Sequence, residues 1–255
     1  MTESVFTQPG AGIRFEWGLA GAAELSRVCA ALVVVDVLSF TTSVTVAVER
    51  GFRVHPFPWN DQAEQYAQRI GAAVAVGRSA TTPKRPWSLS PSALRSAPVV
   101  PDLVLPSPNG ATICAAAQSS GIPVLAGCLR NASAVADLLR SDGYGTPDAP
   151  IGVIAAGERW PDGTLRPSVE DLLGAAAVLD GLTGGELSVE AAAAVAVLYG
   201  VPDVPAAIRG SASGRELTGY GFGADVEIAV ERDVSAEVPV LRSGVFTGGR
   251  VPRTR

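Results

Sequence analysis

Residues 30–51 read AALVVVDVLSFTTSVTVAVERG, and no other stretch constrains the chain as much. An apolar, mostly β-branched run stops at Asp36. The hydroxyls of Ser39, Thr41, Thr42 and Ser43 follow at once, and a second apolar stretch runs to Gly51. An uninterrupted apolar run of strand length indicates a strand buried on both faces, as in a parallel sheet. A carboxylate at the carboxyl end of such a strand stands where open α/β sheets bind ligands. Hydroxyls and backbone N–H groups at the start of the next helix suit an anion. A carboxylate facing an oxyanion calls for a cation between them or a shared proton.

Further strand–loop–helix units follow. HPFPWNDQAEQYAQRIG ends a strand and opens a helix at Asn60 or Asp61. AAVAVGRS reads as a short strand ending at Gly77, and residues 80–98, rich in Pro and Ser, as an extended loop. DLVLPSPNGATICAAAQSSG gives a strand, a tight Pro-Asn-Gly turn and a helix. IPVLAGCLRNASAVADLLRSDG repeats that pattern, with Asn131 or Ser133 as the N-cap. PIGVIAAGERWPDGTLRPSVEDLLGAAAVLDGL gives a strand, a long loop and a helix opened by Ser168; ADVEIAV reads as a further strand, before a short Gly- and Arg-rich extension. The alternation predicts an α/β fold, a layered α/β/α arrangement around a mostly parallel or mixed sheet. The 255 residues suit a single α/β unit or two α/β lobes, with DGYGTPDAP at 142–150 as the boundary between lobes.

Composition removes several classes of function. A net charge of −5 argues against a nucleic-acid surface. No apolar run reaches the roughly 18 residues of a membrane span. The start, MTESVFTQPG, lacks a basic region followed by an apolar stretch, so the expectation is a cytoplasmic protein. Lys84 is the sole lysine and has the wrong neighbours for a GxxxxGK[ST] phosphate loop. Cys29, Cys114 and Cys128 lack zinc-type spacing. His55 is the sole histidine, so a Ser-His-Asp triad would have to use it and a multi-histidine metal site is excluded. A metal would therefore sit on oxygen ligands, which points to Mg²⁺ or Mn²⁺.

Four segments place polar groups just after an expected strand: Asp36 with Thr41 and Thr42, SPNGAT at 107–112, Asn131 with Ser133, and AAGERWPDG at 155–163. In a parallel sheet their loops would emerge on one edge. SPNGAT offers N–H groups around Gly110 and the Thr112 hydroxyl to an anion, although Asn-Gly is also a common turn pair. Ser168-Val169-Glu170-Asp171 fits a capping box in which Asp171 reaches back to the N-cap amide. That role explains Asp171 and leaves Glu170 unexplained; two adjacent carboxylates also suit a hard cation. Asp225 is a further carboxylate. Arg78, Arg130, Arg159 and Arg166 are available to grip phosphate or sulfonate oxygens.

VVVDVLSFTTSV, the SPNGAT turn, NASAVADLL, AAG followed by VEDLLGAAAV, and GFGADVEIAVERD occur in this order. With them the chain resembles the 2-phosphosulfolactate phosphatase family over roughly residues 30–245. The resemblance implies a layered α/β fold and Mg²⁺-dependent removal of phosphate from a small sulfonated hydroxy acid of the coenzyme M route. It implies a small phosphorylated acid as partner, neither nucleic acid nor membrane, and leaves a homodimer open. It puts Asp36, Thr41, Thr42, Asn109, Gly110, Thr112, Asn131, Glu170, Asp171 and Asp225 in or near the site. On this reading Asp36 and Glu170 carry the catalysis. Mg²⁺ is held by Asp36 with Glu170 or Asp171, and Asp225 is a further candidate ligand. The SPNGAT amides, Thr41, Thr42, Asn131 and Ser133 surround the substrate, and Arg78 or Arg130 takes its carboxylate or sulfonate. Where the family commonly reads DVLRATT this chain reads DVLSFTT, so Ser39 stands at the arginine, and the segment supports the reaction type better than the substrate.

Three other readings compete. Haloacid-dehalogenase-like phosphatases need a second Asp where Leu38 stands. An isochorismatase-like cysteine hydrolase would use Asp36, Lys84 and Cys128. A non-catalytic small-anion binding protein would keep the scaffold without turnover.

Overall fold

The computed structural model describes residues 4–249; the end of the Gly- and Arg-rich extension lies outside them. In chain order the elements are β1 (Ile13–Trp17), α1 (Gly18–Leu25), β2 (Ala31–Val35), α2 (Phe40–Glu49), β3 (Arg53–Pro58), α3 (Gln62–Ile70), β4 (Ala73–Val74), α4 (Pro91–Ser96), β5 (Asp102–Ser107), α5 (Gly110–Gln118) and β6 (Val124–Gly127). They continue with α6 (Ala132–Ser141), β7 (Ile151–Ala155), β8 (Glu158–Arg159), β9 (Leu165–Arg166), α7 (Val169–Asp180), α8 (Val189–Gly200), α9 (Val204–Gly210), α10 (Ala212–Gly219), α11 (Gly223–Ala229), β10 (Pro239–Arg242) and β11 (Val245–Gly248). Single 3-10 turns at Arg78–Ala80 and Leu129–Asn131 carry two of the candidate arginines.

All five residues of β2 are buried. Ala31, Val33 and Val35 join one core with Leu139, Leu173 and Val195, which come from α6, α7 and α8. Leu32 and Val34 join the other with Leu25, Val44 and Cys114, from α1, α2 and α5. Successive side chains of a strand point to opposite faces. A strand covered on both sides therefore needs an apolar residue at every position, which is the physical content of the ALVVV run.

β1, β7, β2 and β6 are parallel neighbours. β3, β5 and β4 form a second parallel group. The antiparallel β10–β11 hairpin lies between the groups, β10 against β6 and β11 against β3. The result is one mixed nine-stranded sheet with helices against it, a layered α/β fold. The three antiparallel pairings reverse the second group relative to the first. The loops after β2, β6 and β7 thus share an edge as expected, while the loop after β5 does not arrive by simple parallel neighbourhood. It arrives nonetheless: Gly110, just beyond β5, donates its N–H to Asp36, just beyond β2. α2, buried from Phe40 to Val48, packs against β3, β6, β10 and β11 and so spans the junction between the two groups.

Two segments differ from their sequence reading. ADVEIAV lies in α11, not in a strand. Its buried residues Asp225, Val226, Ile228 and Ala229 follow helical spacing, and an apolar run this short does not distinguish the two states. The loop at 80–98 contains α4, started by Ser90, whose Oγ accepts from the Ala93 N–H, with Pro91 at the first helical position. Residues 142–150 connect α6 to β7 through Gly143 and Gly145, both at positive φ. Among the described residues no single helix is long and apolar enough to cross a membrane.

α7 can approach β2 because Gly174 has no side chain. A Cβ there would stand 2.4 Å from Cγ2 of Val37 and 2.9 Å from Cγ1 of Val35. Gly174→Ala is expected to lower stability by about 1–3 kcal/mol, read as a fall in the urea midpoint at unchanged m-value. An unchanged midpoint would mean that α7 yields without loss.

Candidate active site

Asp36 leaves the carboxyl end of β2 with its side chain 6% exposed. Its Oδ1 accepts from the Phe40 N–H at 3.0 Å and its Oδ2 from the Gly110 N–H at 2.9 Å. The N-termini of α2 and α5 therefore meet on one carboxylate, and the SPNGAT turn does face an anion, that of Asp36. Thr41 Oγ1 donates to the Asp36 carbonyl and accepts the Asp36 N–H. Thr42 Oγ1 donates to the Val37 carbonyl. Both threonines are fully buried, so their hydroxyls shape the strand-to-helix turn and do not face a ligand.

α7 brings two more carboxylates. Asp171 accepts from the Val37 N–H at 2.7 Å, the Gly157 N–H at 2.8 Å and the Ser168 hydroxyl at 2.9 Å. The capping box is absent: Asp171 takes the Ser168 hydroxyl instead of reaching back to the N-cap amide. Glu170 is 2% exposed and makes no hydrogen bond among the described residues. Burial, reinforced by Asp36 and Glu170, pushes the Asp171 carboxyl well above the usual carboxylate range. Burial likewise raises Asp36, against the pull of the Phe40 and Gly110 amides, with Glu170 adding to the rise and Arg78 opposing it.

A fourth carboxylate, Glu158 on β8, was not singled out from the sequence. It follows AAG and looks like one loop charge among several, and only the fold turns it toward Asp36. Its Oε2 accepts from Asn109 Nδ2 at 2.8 Å. Burial, the charge of Asp36 and then that of Glu170 raise its pKa to about 7.

Asp36 and Glu158 line a cavity of about 430 Å³ together with Ser39, Arg78, Ser107 and Asn109. Arg78 Nε donates to Asp225 Oδ2 at 3.0 Å, its Nη2 to Ser39 Oγ, and its guanidinium lies over the Phe222 ring. Asp225 is fully buried, and its Oδ1 accepts from both the hydroxyl and the N–H of Ser92 and from the Ser90 hydroxyl. Asp225 thus fixes Arg78 and faces no space for an ion.

Other candidates lie elsewhere. Thr112 Oγ1 donates to the Ser107 carbonyl. Arg130 is buried in ion pairs with Glu49 and Glu231. Asn131 Oδ1 accepts the Cys128 N–H while its Nδ2 donates to the Ala126 and Glu237 carbonyls. Ser133 is exposed, its N–H on Asp233. None of these four lines the cavity. His55 bonds Asp102 and Tyr66, and among the described residues no hydrogen bond joins it to a serine. Cys128 is wholly buried, and burial raises its thiol pKa, the opposite of what a nucleophilic cysteine needs.

Among the described residues no three His, Cys, Asp or Glu side chains converge tightly enough to hold a metal as a set. Mg²⁺ commonly uses one or two carboxylates and completes its shell with water and phosphate oxygens. Glu170, whose oxygens keep a small contact with solvent, adds its charge to those of Asp36, Asp171 and Glu158, an imbalance that such a cation would correct.

Residues 20–244 match the family described as 2-phosphosulpholactate phosphatase. A protein of Methanothermobacter thermautotrophicus named 2-phosphosulfolactate phosphatase is 32% identical over 215 residues, covering 83% of this chain and 87% of that protein.

The electrostatics sets a pH dependence. Asp36, Asp171 and Glu158 have pKa values raised on folding, so the native state binds more protons than the unfolded chain. Their contribution is intact below the unfolded carboxylate range and is lost as pH rises toward about 7. Asp102 and Glu227, lowered by Arg53 and Arg209, act at more acid pH. Metal-free protein should show a lower urea midpoint near pH 7.5 than near pH 5, with millimolar Mg²⁺ restoring it mainly at the higher pH. A midpoint that rises over this interval would contradict the carboxylate repulsion.

Proposed function

Because the chain belongs to the 2-phosphosulfolactate phosphatase family and is a phosphoric monoester hydrolase, we propose that it is a Mg²⁺-dependent phosphatase. Its substrate is a small phosphorylated acid, with 2-phosphosulfolactate, the substrate in its relative's name, as the reference compound. The observation that carries this reading is a cavity lined by Asp36, Glu158 and Arg78, with Glu170 and Asp171 buried close to Asp36 and Glu170 without a hydrogen bond among the described residues. Asp36 and Glu170 would hold the Mg²⁺. When bound, the ion would neutralise phosphoryl charge and orient the reacting oxygens.

The side chains supply the remainder. The Phe40 and Gly110 amides fix the Asp36 carboxylate, so its orientation needs no rearrangement during reaction. Arg78, held by Asp225, presents its free Nη1 to an acid group of the substrate. Water attacks phosphorus, the bond from phosphorus to the alkyl oxygen breaks, and that oxygen needs a proton. Glu158 supports this role, since it lines the same cavity and burial, the largest cause of its raised pKa, does not depend on the charges that Mg²⁺ would offset. Asn109 holds Glu158 in place from the side.

Two sets of variants test this. Glu170→Gln removes a buried charge without breaking a hydrogen bond, so the metal-free protein should be as stable or more stable. The Mg²⁺ concentration for half-maximal activity should rise by about tenfold or more. Asp36→Asn should nearly abolish phosphate release. Full activity in excess chelator, or an unchanged Mg²⁺ requirement in Glu170→Gln, contradicts the metal assignment.

Glu158→Gln should slow hydrolysis of alkyl phosphates by about 10²–10⁴-fold, and of p-nitrophenyl phosphate far less, because that leaving group departs without a proton. Equal losses on both esters would remove Glu158 as the acid.

A further inference from the structure

The cavity beside Asp36 is lined by two kinds of side chain. Asp36, Ser39, Arg78, Asn109, Glu158 and Glu216 are among the polar ones. Leu38, Trp59, Leu89, Leu217, Tyr220 and Phe222 are apolar, and the Phe222 ring lies against the Arg78 guanidinium. These side chains come from separate places: the β2–α2 loop, the residue after β3, the stretch before α4, and α10 with the turn that follows it. Trp59 is 53% and Tyr220 70% exposed, although both are large rings at the rim of a cavity. A volume of about 430 Å³ lies within the roughly 300–1,000 Å³ of pockets that enclose ligands with an apolar body.

The charges sharpen this contrast. 2-Phosphosulfolactate carries a phosphate, a carboxylate and a sulfonate on three carbons. Among the described residues Arg78 is the one cation lining the cavity. Asp225 matches its charge, Ser39 takes one amino group, and only Nη1 is without a hydrogen-bond partner among the described residues. Arg159 and Arg166 do not line the cavity themselves but bond two residues that do, Asn109 and Ser213, with Arg166 over Trp160. Against them the wall carries Asp36, Glu158 and Glu216, with Glu170 and Asp171 nearby. The wall therefore offers a receptor for one acid group besides the phosphate. A second acid group would find no further cation among the described lining residues and would meet Glu216 or an apolar side chain, where an unpaired charge is strongly disfavoured.

We propose that this chain prefers a 2-phosphorylated carboxylic acid whose third carbon bears an aromatic or other apolar group in place of the sulfonate. The inference rests on the phosphatase reading and narrows its substrate. The phosphate lies by the carboxylates, the carboxylate of the substrate on Arg78, and the apolar group between Trp59, Tyr220, Leu217 and Phe222. The chemistry is unchanged: water displaces the alkyl oxygen from phosphorus, giving inorganic phosphate and the free 2-hydroxy acid.

Three esters isolate the point, 2-phospholactate, 2-phosphosulfolactate and 2-phospho-3-phenyllactate, which share the phosphate and carboxylate and differ only at the third carbon. With Mg²⁺ present, kcat/KM for the phenyl ester should exceed that for 2-phospholactate by at least about tenfold, and the sulfonate should confer no advantage. Trp59→Ala, at a half-exposed position, should reduce the phenyl-to-lactate ratio by about threefold or more. The inference is overturned if the sulfonate ester is the best of the three, or if the phenyl ester is no better than 2-phospholactate. Phosphate release from none of the three would instead overturn the phosphatase reading itself.

Discussion

Asp171 holds together the parts of the chain that make the cavity. One carboxylate accepts from the amide after β2, the amide after β7 and the hydroxyl that precedes α7. A carboxylate within a hydrophobic core is costly unless its oxygens are satisfied. Here they are, and the bonds fix two strand ends and a helix start relative to one another. Asp36 repeats the device between α2 and α5. The floor of the site is thus set by amide-to-carboxylate bonds between segments distant in sequence, and Glu170 and Glu158 are brought close because their neighbours are already fixed.

The sequence revealed those parts whose physics is local. The apolar run into Asp36 is a strand covered on both faces, and Ser168 does precede a helix. Pro-Asn-Gly does turn the chain between β5 and α5. The polar residues singled out as ligands fared differently. Thr41, Thr42, Thr112 and Asn131 are hydroxyls and an amide at helix starts, where a ligand role and a backbone role leave the same trace. In the folded chain each bonds its own neighbourhood. Asp225 looked like one more acid, and its partners Ser90, Ser92 and Arg78 lie more than a hundred residues away. Glu158 left no local sign, since its importance arises from burial beside Asp36, a tertiary fact. The reversal of the sheet at the β10–β11 hairpin was equally invisible, because strand order is not written in the strands themselves.

Two arrangements of charge meet in the cavity. Asp36 and Glu158, with Glu170 and Asp171 close by, crowd negative charge with little compensation. The one arginine among the described lining residues is instead matched by its buried partner Asp225. The arginine is an oriented donor more than a free charge, held in place by Asp225 and the Phe222 ring.

The β10–β11 hairpin also bears on how the protein is made. Its residues, 239–248, stand in the middle of the sheet yet are translated after every other strand. Until they leave the ribosome, β6 lacks its β10 neighbour and β3 its β11 neighbour, and the two parallel groups have no strand joining them. Synthesis at about 5–20 residues per second therefore leaves two apolar half-sheets waiting for seconds beside each other with open edges. Chaperone dependence of this fold should be greatest during that interval.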